Sequence, residues 1–126
     1  MGVVVAIGGA LGALARWGLS GWIQQRAGET FPWGTLVVNV SGALVLAFAV
    51  RFLEAVAAPP EWRGFIAIGF CGAYTTFSTF GYESTLLMQS GQWTRATMYV
   101  MASVMLTLAA TLAGFRLAVL ALAARG

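Results

Sequence analysis

The sequence predicts an all-α membrane protein of four transmembrane helices, with the third helix interrupted near the middle of the bilayer. The class follows from composition: 60% of the 126 residues are hydrophobic and 9% are charged, whereas soluble domains average about 25% charged residues. The number of helices follows from four apolar segments, each long enough for a span of roughly 20 residues. We therefore interpret residues 1–126 as one transmembrane domain.

The four predicted spans cover residues 3–23, 32–52, 64–88 and 96–122. Short polar or proline-containing connectors separate them. Tryptophans lie at the segment ends, where their amphipathic rings favour the headgroup region: Trp22, Trp33, Trp62 and Trp93. Because no basic residue precedes the first apolar segment and three more segments follow it, we interpret it as a span and not as a cleaved signal.

The polar inventory excludes several classes of function. The chain has no histidine, aspartate or lysine and a single cysteine, Cys71. It therefore has no disulfide framework and no histidine-based catalytic triad, and it is a poor candidate for a zinc or iron site or for an enzyme. In a membrane protein, the net charge of +3 mainly reflects topology and gives a mild attraction for anions. It does not indicate nucleic-acid binding.

The arginines give only a weak indication of orientation. An even number of spans places both termini on one side, and four arginines fall towards that side: Arg51, Arg63, Arg116 and Arg125. Arg26 and Arg95 fall on the other side. This bias is compatible with a single orientation that has cytoplasmic termini. The charge counts favour this single orientation and leave dual topology, in which copies inserted both ways pair as an inverted dimer, as the alternative.

Helix three carries the densest group of polar residues. Gly69 and Gly72 weaken the helix, and four hydroxyl residues follow at positions 75, 76, 78 and 79. A break there would free carbonyl groups, which could line a cavity or bind a small cation such as sodium. The alternative is a simple kink with the hydroxyls bonded back to the preceding turn. Just beyond, Phe77 and Phe80 share a helix face and could present their positive ring edges to an anion, unless they only pack.

Polar side chains also mark the other three helices. Asn39, the only asparagine, could donate to an anion or to a partner helix. Helix four repeats hydroxyl residues every four positions, either as a donor stripe or as back-bonded groups: Tyr99, Ser103, Thr107 and Thr111. Arg16 could snorkel to an interface or make a dimer contact. Glu83 could pair with an arginine, line a vestibule or carry a proton.

Three ordered blocks of the sequence resemble the Fluc (CrcB-type) bacterial fluoride channels. They are Gly8–Trp17 (GGALGALARW), Gly34–Gly42 (GTLVVNVSG) and Gly69–Phe80 (GFCGAYTTFSTF), and together they organise the whole chain. The third block is the most specific. The one departure is Trp17, where a tyrosine is usual.

The resemblance implies a dual-topology homodimer in the bacterial inner membrane that passively exports fluoride. It implies a structural sodium ion held by the backbone carbonyls of Gly72 and Thr75 from both subunits. The implied fluoride path contains the amide of Asn39, the rings of Phe77 and Phe80, and hydroxyls on helices three and four: Ser78, Thr79, Tyr99, Ser103 and Thr107. Arg16 and Glu83 would lie in the vestibules. The implied partners are fluoride, a second copy of the chain and the lipid bilayer.

Two other functions remain to be weighed. A small proton-coupled multidrug exporter would also be an antiparallel four-helix dimer, but it needs an acid within helix one, where the only charged residue is Arg16. A structural subunit of a larger membrane complex would leave the hydroxyl stripe and the phenylalanine pair without a task. The sequence therefore favours the channel.

Overall fold

A computed structural model of the chain describes all 126 residues and contains helices but no strands. The helices, in chain order, are α1 (Gly2–Ala27), α2 (Trp33–Ala55), α3 (Pro60–Arg63), a π-helical segment (Gly64–Cys71), α4 (Gly72–Tyr74), α5 (Phe77–Gln89) and α6 (Trp93–Arg125). Helices α1, α2 and α6 are each long and apolar enough to cross a membrane. The predicted all-α class is confirmed, and the chain is a multi-pass membrane protein.

The third predicted span, residues 64–88, consists of several shorter elements. Helix α3, the π-helical segment and α4 follow one another without a break from Pro60 to Tyr74. Thr75 (φ −86°, ψ 156°) and Thr76 (φ −150°, ψ 116°) are then extended, and α5 begins at Phe77. Gly72, which we expected to weaken the helix, has helical dihedral angles (φ −61°, ψ −34°). The helical path is therefore interrupted at two threonines and not at the glycines.

The glycines of α1 bring that helix close to the π-helical segment. Gly8 and Gly12 are buried, and a Cβ atom on either would collide with a backbone carbonyl, that of Phe65 or of Phe70. On the facing segment, a Cβ on Gly69 would come within 2.6 Å of the Val5 carbonyl oxygen. Small residues allow this close backbone approach. The Gly8–Gly12 face therefore packs within the subunit.

Helices α2 and α6 run parallel to each other and form the largest helix–helix contact. Phe31 meets Tyr99 at their beginnings, with ring centroids 5.5 Å apart. The Arg125 guanidinium lies 5.6 Å from the centre of the Phe52 ring at their ends. Val38 of α2 and Tyr99 of α6 are completely buried. This pair of helices carries Asn39 on α2 and the hydroxyl residues of α6.

Helix α5 is only loosely attached to the rest of the subunit. Ser84 is its single buried residue, and its main contact is the packing of Phe80 against Tyr99 of α6, at a ring distance of 5.2 Å. Phe77 at its start is 85% exposed. One long side of α5 thus faces away from the subunit, next to the interruption at residues 75 and 76.

Candidate functional site

The side chain of Asn39 is joined to the backbone of the interrupted segment. Its Nδ2 donates to the Thr76 carbonyl over 3.0 Å, and its Oδ1 accepts from the Thr76 N–H over 2.7 Å. The Thr76 hydroxyl in turn caps α5, because it accepts from the Thr79 N–H over 3.2 Å. Two backbone groups that leave the helical pattern are thus satisfied by a side chain from α2, as a non-helical segment within apolar surroundings requires.

Because of these bonds, two backbone N–H groups do not donate to the carbonyl groups that they would reach in a continuous helix. In a continuous helix the Thr76 N–H would bond to the carbonyl of Gly72, and the Thr79 N–H to the carbonyl of Thr75. Here the first N–H donates to Asn39 and the second to the Thr76 hydroxyl. The Gly72 and Thr75 carbonyls are therefore released from their helical partners.

Arg16 binds the carbonyl that lies between them. Its Nε donates to Ala73 O over 2.9 Å, so a half-buried positive charge stands at the end of α4. This position suits the partial negative charge of a helix C-terminus. No group of three or more His, Cys, Asp or Glu side chains that could hold a metal ion occurs in the structure.

A groove of about 680 Å³ lies between α2, α6 and the interrupted segment. Its walls are mainly apolar and carry a few amide and hydroxyl groups. The lining includes six of the polar or aromatic residues expected in the fluoride path or at the sodium site: Asn39, Thr75, Phe77, Phe80, Ser103 and Thr107. Thr76 and Thr111 also line it. The groove contains no charged residue.

The aromatic rings at the groove form a continuous row. Phe77 and Phe80 have centroids 5.6 Å apart at 34°, and Phe80 leans on Tyr99 at 55°. The Tyr99 ring also contacts Phe31 at 82°, an edge-to-face arrangement. Such tilted arrangements bring the positive edge of one ring to the face of the next. Phe77 ends the row and is the ring that the subunit leaves uncovered.

Ser103 is the one buried side chain whose polar atom has no hydrogen-bond partner. It is 8% exposed and lies on the groove wall. Other hydroxyls in helices bond back one turn, as Thr111 does to the Thr107 carbonyl over 2.9 Å and Ser84 to the Phe80 carbonyl over 2.7 Å. A buried unsatisfied hydroxyl costs free energy and calls for an explanation. A ligand in the groove would provide one.

Tyr99 differs from the rest of the predicted hydroxyl stripe. It is fully buried and does not line the groove, and its hydroxyl donates to Glu83 Oε1 over 3.2 Å. Glu83 lies on the wall of a second, polar cavity of about 320 Å³, which also includes Gln24, Glu29, Thr30, Ser90 and Gln92. Tyr99 and Phe80 therefore separate the groove from this polar cavity.

Two predicted residues lie beside the groove and not on its wall. Ser78 is exposed in the first turn of α5, and the Thr79 hydroxyl accepts from that of Thr76 over 3.0 Å. Thr76 itself was not singled out from the sequence, although a threonine before a helix start is a usual N-cap. The hydrogen bond of 2.9 Å between Ser41 and Tyr74 was also missed. It joins α2 to α4, and no sequence spacing indicates it.

The chain was compared with known proteins. A family model described as CrcB-like protein, Camphor Resistance (CrcB), matches residues 3–115. The chain belongs to the CrcB family. Members of the family that resemble it include proteins named fluoride-specific ion channel FluC from Koribacter versatilis, 49% identical over 86% of both chains, and from Hahella chejuensis, 47% identical over 91% of both. A protein of the same name from Thermus thermophilus is 41% identical over 91% of both chains.

Membership in the CrcB family confirms the resemblance found in the three sequence blocks. The matched region begins before Gly8–Trp17 and ends beyond Gly69–Phe80, so it contains all three. It also contains every residue expected in the ion path. The names of the CrcB relatives are those of ion channels, and the family is one of channels and not of enzymes.

Proposed function

We propose that the protein is a fluoride-selective passive channel that exports fluoride from the cytoplasm across the inner membrane of a bacterium. The observation that carries the proposal is the unpartnered hydroxyl of Ser103 on the wall of an uncharged groove. The names of the CrcB relatives support the choice of fluoride. Fluoride that enters as hydrofluoric acid accumulates in the cytoplasm, so a passive leak outwards is sufficient for protection.

The groove offers fluoride the contacts that it needs after losing water. Fluoride is a small anion and a strong hydrogen-bond acceptor, so hydroxyl and amide donors can replace its hydration shell. Ser103 and Thr107 are such donors, and the second Nδ2 hydrogen of Asn39 remains available after the bond to Thr76. The ring edges of Phe77 and Phe80 add positive potential without a full charge. A fixed cation would hold the ion too tightly for it to leave.

A structural sodium ion is proposed at the carbonyls of Gly72 and Thr75. The support is that both carbonyls have lost their helical donors, while the Ala73 carbonyl between them is bound by Arg16. Carbonyl oxygens are suitable ligands for a hard cation, and unwound helices supply them in other transporters. Two carbonyls are too few for one ion, so the proposal includes the same pair from a second subunit.

We further propose that the functional unit is a dual-topology homodimer with two antiparallel pores. The proposal is supported by the groove, which a single subunit does not enclose: it is open on the side where Phe77 is 85% exposed. A second copy would enclose the groove and exclude lipid from the ion path. The weak bias of the arginines leaves both insertions possible.

Fluoride efflux from liposomes that contain the purified protein tests the proposal. We expect release that needs no proton gradient and exceeds chloride release by orders of magnitude. Absence of fluoride flux would overturn the function. Flux that occurs only in exchange for protons would instead indicate the proton-coupled exporter, with Glu83 as the proton carrier.

A further inference from the structure

The loop between α1 and α2 is held by a single side chain. Gln24 Nε2 donates to the carbonyls of Gly28 and Phe31, the latter over 2.9 Å, and Gln24 Oε1 accepts from the Gly34 N–H over 3.1 Å. Both amide hydrogens and the amide oxygen are thus engaged. One half-buried glutamine ties the end of α1, the loop and the first turn of α2 together.

This loop reaches the ion path at Phe31. The Phe31 ring meets Tyr99 edge to face at 5.5 Å, and Phe80 contacts the same Tyr99 ring at 5.2 Å. Tyr99 is completely buried and its hydroxyl donates to Glu83. The position of the Tyr99 ring therefore depends on Phe31, whose backbone is fixed by Gln24.

The same loop is one wall of the polar cavity. Gln24, Glu29, Thr30 and Pro32 form that wall, and Glu83 faces them from α5. Gln24 has no free N–H with which to bind an anion in this cavity, because both hydrogens are used within the loop. Its contribution is to hold the other groups in place.

We propose that Gln24 is a positioning residue of the ion path: it holds residues 28–34 as a wall of the polar cavity and, through Phe31, fixes the ring of Tyr99 between the groove and Glu83. The inference rests on the proposed function, since it concerns the same path. Gln25 is the natural control, because it is the next residue, has the same chemistry, is exposed and makes no side-chain hydrogen bond.

The test compares Gln24→Leu, Phe31→Leu, the double variant and the control Gln25→Leu, each purified as the full chain. Hydrogen exchange of residues 28–34 reports on the loop, and fluoride efflux from liposomes reports on the path. We expect Gln24→Leu, which removes all three hydrogen bonds of the Gln24 amide, to speed exchange, notably at the Gly34 N–H, and to lower flux roughly tenfold or more. Gln25→Leu should change neither measurement.

The double variant distinguishes positioning from general support. If Gln24 acts through Phe31, the double variant loses no more flux than the more affected single variant, whereas independent effects multiply. Multiplied losses, unchanged exchange, or faster exchange with unchanged flux would each overturn the inference. If Gln24→Leu does not fold, Gln24→Met takes its place; it is neutral, keeps the length, lacks the two donors and has the same expected result.

The failure of this inference can be told apart from that of the proposed function. A wild-type protein that releases no fluoride overturns both. A wild-type protein that conducts, together with a Gln24→Leu variant that conducts equally well, overturns only the role of Gln24.

Discussion

The amide of Asn39 bonds to both backbone polar groups of Thr76, across 37 residues of sequence and between two helices. This pair of bonds replaces the helical partners that Thr76 gives up at the interruption. It also leaves the Gly72 carbonyl without its usual donor. One side chain from α2 thus stabilises the extended segment and frees an oxygen for a ligand.

Replacing Asn39 by alanine should therefore destabilise the protein as well as reduce flux. Two half-buried backbone groups lose their partners, at a cost of about 2 kcal/mol. Thermal unfolding in detergent measures the stability. Asn39→Asp keeps the acceptor for the Thr76 N–H but places a negative charge opposite the Thr76 carbonyl and in the anion groove, so it should abolish fluoride efflux.

Thr97→Ala provides the control for both Asn39 variants, because Thr97 is an exposed hydroxyl residue of α6 without a hydrogen-bond partner. It should behave as wild type in both measurements. An Asn39→Ala variant as stable as Thr97→Ala would contradict the structural role of the Asn39–Thr76 pair.

Ser103→Ala should lower fluoride flux without lowering the stability of the protein. The hydroxyl is buried without a partner, so its removal should leave the protein equally stable or up to about 1 kcal/mol more stable. If the hydroxyl serves the ion, fluoride efflux should fall roughly tenfold, as for the loss of one hydrogen bond to a charged group. Ser84→Ala is the matched control: a buried, back-bonded serine outside the groove, whose removal should not change flux. A Ser103→Ala variant with wild-type flux would remove Ser103 from the path.

Phe77→Ile and Phe80→Ile should both lower flux, because each variant loses a ring edge that offers positive potential to the anion; a loss of roughly tenfold corresponds to about 1.4 kcal/mol. Their stabilities should differ. Phe80 packs between Phe77 and Tyr99, so its replacement should destabilise the subunit, whereas Phe77 is 85% exposed there and its replacement should not. Efflux and detergent unfolding measure the two effects, and size-exclusion chromatography checks the oligomer. Tyr82→Leu serves as the control, because Tyr82 is exposed on α5 away from the groove. Unchanged flux in both phenylalanine variants would show that Phe77 and Phe80 are only packing residues.

The local features of the chain could be predicted from sequence, and the non-local ones could not. The apolar segments, the tryptophans at segment ends and the spacing of Ser103, Thr107 and Thr111 depend on the residues themselves, and the last three do line one groove. The position of the interruption depends on Asn39, a residue of another helix, which is why the helical glycines Gly69 and Gly72 were misleading.

Tyr99 belonged to the predicted stripe by its spacing, but its hydroxyl bonds to Glu83 and not to the groove. Its ring is completely buried and contacts the rings of Phe31 and Phe80. Helical spacing predicts which face a residue occupies. It does not predict the partner that a long side chain reaches, and the role of Gln24 was missed for the same reason.

Gly42→Ala should weaken the proposed sodium site through the interrupted segment. A Cβ atom at Gly42 would lie within 2.9 Å of the Tyr74 ring and collide with the Thr75 side chain, so residues 74 and 75 would have to move. We expect reduced flux, and we expect the dimer of this variant to need a higher sodium concentration to remain stable. The stability of the dimer is measured while sodium is replaced stepwise by a large organic cation. Gly18→Ala is the control, since nothing lies within 4 Å of its added Cβ, and it should be up to about 1 kcal/mol more stable. Equal sodium dependence in both variants would argue against the site.

Glu83→Gln tests whether the protein is a channel or a proton-coupled exporter. Glutamine retains an oxygen that can accept from the Tyr99 hydroxyl, as Glu83 Oε1 does over 3.2 Å, but it cannot carry a proton. In a passive channel, fluoride efflux from liposomes with equal pH on both sides should persist in this variant and stay independent of an imposed pH difference. Glu54→Gln, which alters an exposed carboxylate paired with Arg63, controls for the loss of charge. The opposite result would be wild-type efflux that follows the pH difference and that disappears in Glu83→Gln but not in Glu54→Gln. It would show that the protein is an exporter and not a channel, because only an obligatory proton carrier makes transport depend on that one ionisable group.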